Sequence, residues 1–132
     1  MTKDKLFHPE YARVLWQIAD GDLQSAEVMA QNLNKGRREN ICFAAQQCIE
    51  KSFKAVLCSR QKPVPITHSI ELLLDRLQPT VPVGAEALIE LTDFATVRRY
   101  EEGSEIITAE DLQAIIDAAR GVLMWAKMQI GI

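Results

Sequence analysis

Apolar residues recur at helical spacing along most of the chain. Between about Pro9 and Leu33 they follow a three-and-four spacing that predicts one long helix. Gly21 interrupts this run. Glycine costs about 1 kcal/mol in a helix interior relative to alanine, so a kink or a break at Gly21 is the alternative to one continuous helix. A second run predicts a helix from about Arg38 to Arg60. Strand-like alternation bounded by turns is absent from the sequence, which favours an all-α fold.

Three more helices are predicted after proline-containing loops. The segment QKPVPI is expected to be a loop, followed by Thr67 as the N-cap of a third helix that ends before Pro79. A fourth helix runs from about Ala85 to Arg99, and Thr108 is the expected N-cap of the fifth. The predicted architecture is an up-and-down bundle of about five helices that forms a single domain over residues 1–132.

Composition and charge narrow the classes of protein to which this chain can belong. With 48% hydrophobic and 25% charged residues, the chain resembles an ordinary globular protein rather than a disordered segment. A net charge of −3 argues against a general binder of phosphate backbones. No signal-peptide pattern or window long enough to span a membrane occurs, which predicts a cytoplasmic protein without a membrane partner.

The residues that commonly carry metal or nucleophilic chemistry form no recognisable motif. Cys42, Cys48 and Cys58 lack a paired spacing, which indicates neither a disulfide framework nor a zinc site, and the first two fall on an apolar helix face. His8 and His68 are far apart, and the glycines form no phosphate-binding loop. We therefore predict no metal, no cofactor and no catalytic residue.

The polar side of the second helix is the first candidate site. Its residues are Gln46, Gln47, Glu50, Lys51 and Lys54. Gln47, Glu50 and Lys54 follow i, i+3 and i+4 spacing and so line up on one side of the helix, where Glu50 and Lys54 can pair. A solvated face would show the same pattern, and the residues alone favour that interpretation.

Two further candidates lie outside that helix. Arg98, Arg99 and Tyr100 offer two cations and a phenol, which suit a phosphate and a stacked base, although arginine near a helix end also compensates the helix dipole. His68 follows the expected cap Thr67, and a local structural role is the more economical interpretation there.

The sequence around these candidate residues resembles that of a known family. The stretch CFAAQQCIEKSFKAVLCSRQKPVPITHSIELLLDRL, followed later by RRYEE, resembles the HEPN family, the higher eukaryote and prokaryote nucleotide-binding domain. Its second helix typically reads A-x-F-x-x-Q-Q-A-x-E-K-x-x-K-A, and this chain matches that pattern at Phe43, Gln46, Gln47, Glu50, Lys51, Lys54 and Ala55. Arg99 and Tyr100 resemble the RYP near the end of the fourth helix, with Glu101 in place of proline.

The resemblance implies a five-helix, often dimeric, nucleotide-binding module of the free-standing prokaryotic type. Such members are commonly paired with a minimal nucleotidyltransferase in a toxin–antitoxin-like context, and a nucleotide or RNA is the implied ligand. The ligand-binding residues that it suggests are Gln47, Glu50, Lys51, Lys54, His68, Arg98, Arg99 and Tyr100.

Many family members are metal-independent ribonucleases with an arginine followed shortly by a histidine. No histidine follows Arg98 or Arg99, so that activity is not expected here. The alternatives are a ribonuclease with a non-standard base, either His68 or Glu101, and a dimerisation scaffold without a ligand.

Overall fold

The computed structural model describes residues 4–32, 37–93 and 107–132. Five helices lie within these residues. They are α1 (Tyr11–Ala30), α2 (Arg38–Ser59), α3 (Ile70–Leu77), α4 (Ala85–Asp93) and α5 (Ala109–Ile130). Two short strands, β1 (Asp4–Lys5) and β2 (Val64–Pro65), complete the described elements. The predicted all-α helical bundle is confirmed.

Helix α2 forms the centre of the bundle and packs against α1, α3 and α5. Its buried apolar residues are Ile41, Cys42, Ala45, Cys48, Ile49, Phe53, Ala55, Val56, Leu57 and Cys58. Phe53 meets Trp125 of α5 edge to face, with ring centroids 5.9 Å apart. On α1, the Trp16 indole donates a hydrogen bond of 2.9 Å to the Leu123 carbonyl. These contacts join the three long helices around one core.

The predicted course of α1 and α5 agrees closely with the structure. Helix α1 continues through Gly21 as a single element, so the break considered there does not occur. At the start of α5, the Thr108 hydroxyl accepts a hydrogen bond from the Asp111 amide, and the Asp111 carboxylate accepts one from the Thr108 amide. This capping box satisfies helix-terminal amides that would otherwise lack partners.

Three predictions of local structure need correction or remain open. Ser69, not Thr67, caps α3, because its hydroxyl accepts from the Leu72 amide while the Thr67 hydroxyl accepts from the Ser69 amide. The predicted loop also contains β2, which pairs antiparallel with β1. The part of the predicted fourth helix beyond Asp93 lies outside the described residues.

The pairing of β1 with β2 brings the start of the chain beside the loop that precedes α3. Lys5 is opposite Val64 and Asp4 is opposite Pro65. The Arg76 guanidinium of α3 also donates to the Asp4 carboxylate over 2.9 Å. The amino-terminal segment therefore forms a wall next to the polar side of α2. Among the described helices, none has the length and apolar content needed to cross a membrane.

Candidate ligand-binding pocket

Glu50 lies on the polar side of α2 but is buried, with 2% of its surface exposed. The interpretation of this side as a solvated face is therefore wrong at Glu50. A buried carboxylate needs hydrogen-bond partners, because the loss of hydration is otherwise uncompensated. The structure supplies three such partners.

Lys54, His68 and Gln47 all donate to the Glu50 carboxylate. The Lys54 ammonium lies 3.0 Å from Oε1, and the His68 Nδ1 lies 2.9 Å from the same oxygen. The Gln47 amide lies 3.3 Å from Oε2. Since a carboxylate only accepts hydrogen bonds, His68 carries a proton on Nδ1 in this contact. One carboxylate thus fixes the positions of three polar side chains.

His68 reaches Glu50 because it precedes α3 instead of lying within its first turn. Its side chain is 85% exposed, in contrast to the buried carboxylate that it contacts. The Nδ1 contact orients the imidazole ring, and no described residue makes a hydrogen bond to Nε2. The histidine therefore presents one ring nitrogen toward the solvent side of the cluster.

A second ion pair lies beside this cluster. The Lys51 ammonium lies 2.8 Å from the Asp22 carboxylate of α1, and both side chains are half-buried. This contact links α2 to α1 on the polar side of the bundle. It also holds the Lys51 side chain against the pocket described next.

Glu50, its three hydrogen-bond partners and Lys51 line a pocket of about 380 Å³, here called the Glu50 pocket. Helix α2 contributes Gln47, Glu50, Lys51 and Lys54, and the amino-terminal side contributes Lys5, Phe7, Tyr11 and Leu15. The segment before α3 contributes Val64, Pro65, Ile66 and His68. The Phe7 and Tyr11 rings stack with centroids 5.2 Å apart and planes 25° apart. The pocket therefore combines apolar and aromatic walls with convergent polar groups, as small-molecule sites commonly do.

The structure brings together five of the eight residues predicted to bind a ligand. They are Gln47, Glu50, Lys51, Lys54 and His68. Arg98, Arg99 and Tyr100 lie outside the described residues, and their role stays a prediction. Lys5, Phe7 and Tyr11 were missed as pocket residues, because the sequence carries no local signal that the amino-terminal segment folds over α2.

The cysteines are buried, as the apolar pattern predicted for Cys42 and Cys48. None of the three cysteines forms a disulfide, and each is at most 2% exposed. Burial raises the pKa of Cys48 to about 12 and also raises the pKa of Cys58. Thiols of this kind behave as small apolar groups rather than nucleophiles. Within the described ranges, no group of three or more His, Cys, Asp or Glu side chains is placed to hold a metal ion.

Comparisons with known proteins agree with this architecture. A family model described as the HEPN domain matches residues 12–129. Among solved structures, TT1696 from Thermus thermophilus has a TM-score of 0.75 and 24% identity, over 90% of this chain and 98% of that chain. ST0689, an archaeal HEPN homologue, has a TM-score of 0.63 and 26% identity, over 90% of this chain and 97% of that chain. No curated protein matches the sequence.

Proposed function

Because this chain belongs to the HEPN domain family, we propose that it is a nucleotide-binding module whose ligand occupies the Glu50 pocket. The observation that carries the proposal is the buried Glu50 carboxylate, which holds Lys54 and His68 on the pocket wall. A stacked aromatic pair lies on the same pocket lining. Fixed cations beside an aromatic surface match the two chemically different ends of a nucleotide.

The phosphate end would lie against the lysines. The Lys54 ammonium has three donor hydrogens, and its contact with Glu50 occupies one of them. Lys5 and Lys51 line the same pocket, so three ammonium groups accompany two carboxylates, Glu50 and the Asp22 that pairs with Lys51. This excess of positive charge favours an anionic ligand even though the whole chain is acidic.

The base would lie against Phe7 and Tyr11. Their rings are already stacked, so the aromatic surface is preorganised and little side-chain entropy is lost when a base contacts it. Gln47 offers an amide that can donate to or accept from a base edge. In this proposal Arg98, Arg99 and Tyr100 add further phosphate and base contacts from outside the described residues.

Isothermal titration with AMP, ATP and GTP tests the proposal. We expect binding by the wild-type protein and a loss of affinity of about tenfold or more in Lys54→Met, because one charge-assisted hydrogen bond is removed. Lys62→Met is the matched control, since Lys62 is exposed and does not line the pocket. We expect Phe7→Leu to lower the nucleotide affinity independently, because it removes one ring of the aromatic pair and leaves the contacts of Glu50 intact. Wild-type affinity for nucleotide in both pocket variants would overturn the assignment of the Glu50 pocket as the nucleotide site.

A ribonuclease is the second candidate, and the contact between His68 and Glu50 favours it. A carboxylate that orients a histidine through Nδ1 leaves Nε2 to accept a proton, which is the arrangement of a general base. Incubation of the protein with labelled transfer RNA in EDTA separates the two candidates. Cleavage that disappears in His68→Asn would support the enzyme, whereas intact RNA together with nucleotide binding supports the binding module.

The nucleotidyltransferase partner belongs to the same proposal. It follows from the resemblance to free-standing family members and would place the protein in the cytoplasm, which three cysteines without a disulfide favour. Co-expression with a minimal nucleotidyltransferase from the same genome, followed by gel filtration, tests the pairing. Separate elution of the two proteins would remove this part of the proposal and leave the pocket assignment standing.

A further inference from the structure

Lys5 differs from the other two lysines of the Glu50 pocket in its charge balance. Lys54 lies 3.0 Å from the Glu50 carboxylate, and Lys51 lies 2.8 Å from the Asp22 carboxylate. Each of these ammonium groups is therefore balanced by a carboxylate of the protein itself. Among the residues that the structure describes, no carboxylate pairs with Lys5. Within this part of the chain, the pocket lining keeps one uncompensated positive charge, and Lys5 carries it.

The acidic residue next to Lys5 does not cancel this charge. The Asp4 carboxylate accepts a hydrogen bond of 2.9 Å from the Arg76 guanidinium of α3, and Asp4 does not line the pocket. Successive side chains of a strand point to opposite sides. The strand β1 thus directs Asp4 toward α3 and Lys5 toward the pocket.

Lys5 also lies at a defined distance from the aromatic wall of the pocket. Lys5 and Phe7 both line the pocket, whereas Leu6 between them is 71% exposed and does not. This is the alternation of an extended chain, in which residues i and i+2 are about 7 Å apart. The pairing of Lys5 with Val64 holds the segment beside the loop before α3. The segment therefore presents a cation and an aromatic ring on one side, with a separation comparable to that between the phosphate and the base of one nucleotide.

We propose that the ligand of the Glu50 pocket is a nucleoside monophosphate and that Lys5 binds its phosphate, an assignment that rests on the proposed function. One uncompensated ammonium group suits one phosphate group, whose oxygens accept its three hydrogens. A second or third phosphate meets no further unpaired lysine in the described lining. The pocket volume of about 380 Å³ is at the small end of the range for ligand sites, which also favours a mononucleotide with one phosphate.

Isothermal titration with adenosine, AMP, ADP and ATP tests the preference for one phosphate. We expect AMP to bind about tenfold more tightly than adenosine, because its phosphate adds a charge-assisted contact. ADP and ATP should bind no more tightly than AMP, because their extra phosphates gain no unpaired lysine from the described lining. The buffer contains EDTA, since bound Mg²⁺ would mask the charge of the longer phosphate chains. An affinity that rises with each added phosphate would overturn the proposal.

Substitutions of Lys5 test the residue itself. We expect Lys5→Met to abolish the difference in affinity between AMP and adenosine, because methionine keeps an unbranched apolar stem and lacks the charge. Lys5→Arg should retain most of the difference, since a guanidinium also donates to phosphate oxygens. Lys62→Met is the matched control, because Lys62 is exposed near β2 and does not line the pocket. A full preference for AMP over adenosine in Lys5→Met would overturn the assignment of Lys5.

The same titrations separate a failure of this assignment from a failure of the proposed function. If the wild-type protein binds no nucleotide, the Glu50 pocket is not a nucleotide site and both proposals are wrong. If nucleotide affinity falls in Phe7→Leu and is unchanged in Lys5→Met, the pocket remains the nucleotide site and only the assignment of Lys5 is wrong.

Discussion

The Glu50 carboxylate organises the polar side of the bundle. It is surrounded by protein, so hydrogen bonds from Lys54, His68 and Gln47 must replace its hydration. Lys54 keeps only 18% of its side-chain surface exposed, and the pairing limits the cost of its own burial. The stability of this region and the preorganisation of the pocket therefore depend on the same group.

Replacing Glu50 with glutamine should destabilise the fold even though the shape is conserved. Glu50→Gln leaves the half-buried Lys54 ammonium without its counter-charge, and we expect the free energy of unfolding to fall by about 2 kcal/mol. Urea denaturation measures this change. Glu90→Gln, an exposed position of α4 beyond its first turn, is the control, with an expected change near zero. Equal stabilities of the two variants would contradict the structural role of Glu50.

At the scale of the helices, capping residues decide where elements begin. The Thr108 and Asp111 side chains each satisfy an amide at the start of α5. At its other end, Gly131 adopts a left-handed conformation with φ of 83°, which glycine allows without a steric penalty. Thr108 was predictable because its hydroxyl and the acidic first turn are adjacent in sequence. The predicted cap Thr67 was wrong for α3, because Ser69, two residues later, accepts from the Leu72 amide.

Removal of the Thr108 hydroxyl should weaken the start of α5. We expect Thr108→Ala to lower the free energy of unfolding by about 1 kcal/mol, because the Asp111 amide loses its acceptor. Thr108→Ser should restore most of this loss, since serine caps equally well. The measurement is denaturant unfolding, with Thr80→Ala in an exposed turn as the control. A Thr108→Ala protein as stable as the wild type would contradict the capping assignment.

At the scale of the whole molecule, the pocket is assembled from separate parts of the chain. Lys51 of α2 pairs with Asp22, which is 29 residues away, and His68 contacts Glu50 across 18 residues. The pairing of β1 with β2 adds the amino-terminal wall. None of these parts forms the pocket alone, so an opening of the bundle that separates them would remove the site.

The three cysteines of α2 are buried in the core, so their reaction with a thiol reagent reports unfolding of the bundle. Because burial raises the pKa of Cys48 to about 12, the folded state favours the protonated thiol. The free energy of unfolding should therefore fall as pH rises from about 9, the ordinary value, toward 12. At pH 8 we expect a thiol reagent to label the folded chain far more slowly than the chain in urea.

An exposed thiol provides the reference for this experiment. Gln113→Cys places a cysteine on the solvent side of α5 and should react at the rate of an unfolded chain. Rapid labelling of the wild-type protein under native conditions would contradict the buried position of the native cysteines.

The sequence by itself determined the helical bundle, because the apolar period of α1, α2 and α5 is a local property of each segment. It also indicated the buried Cys42 and Cys48 and five of the residues that line the Glu50 pocket. Only the tertiary structure decided that Glu50 is buried, that His68 contacts it, and that part of the apolar pattern of α1 faces outward. A periodic pattern defines the faces of a helix, whereas burial depends on which distant segment covers each face.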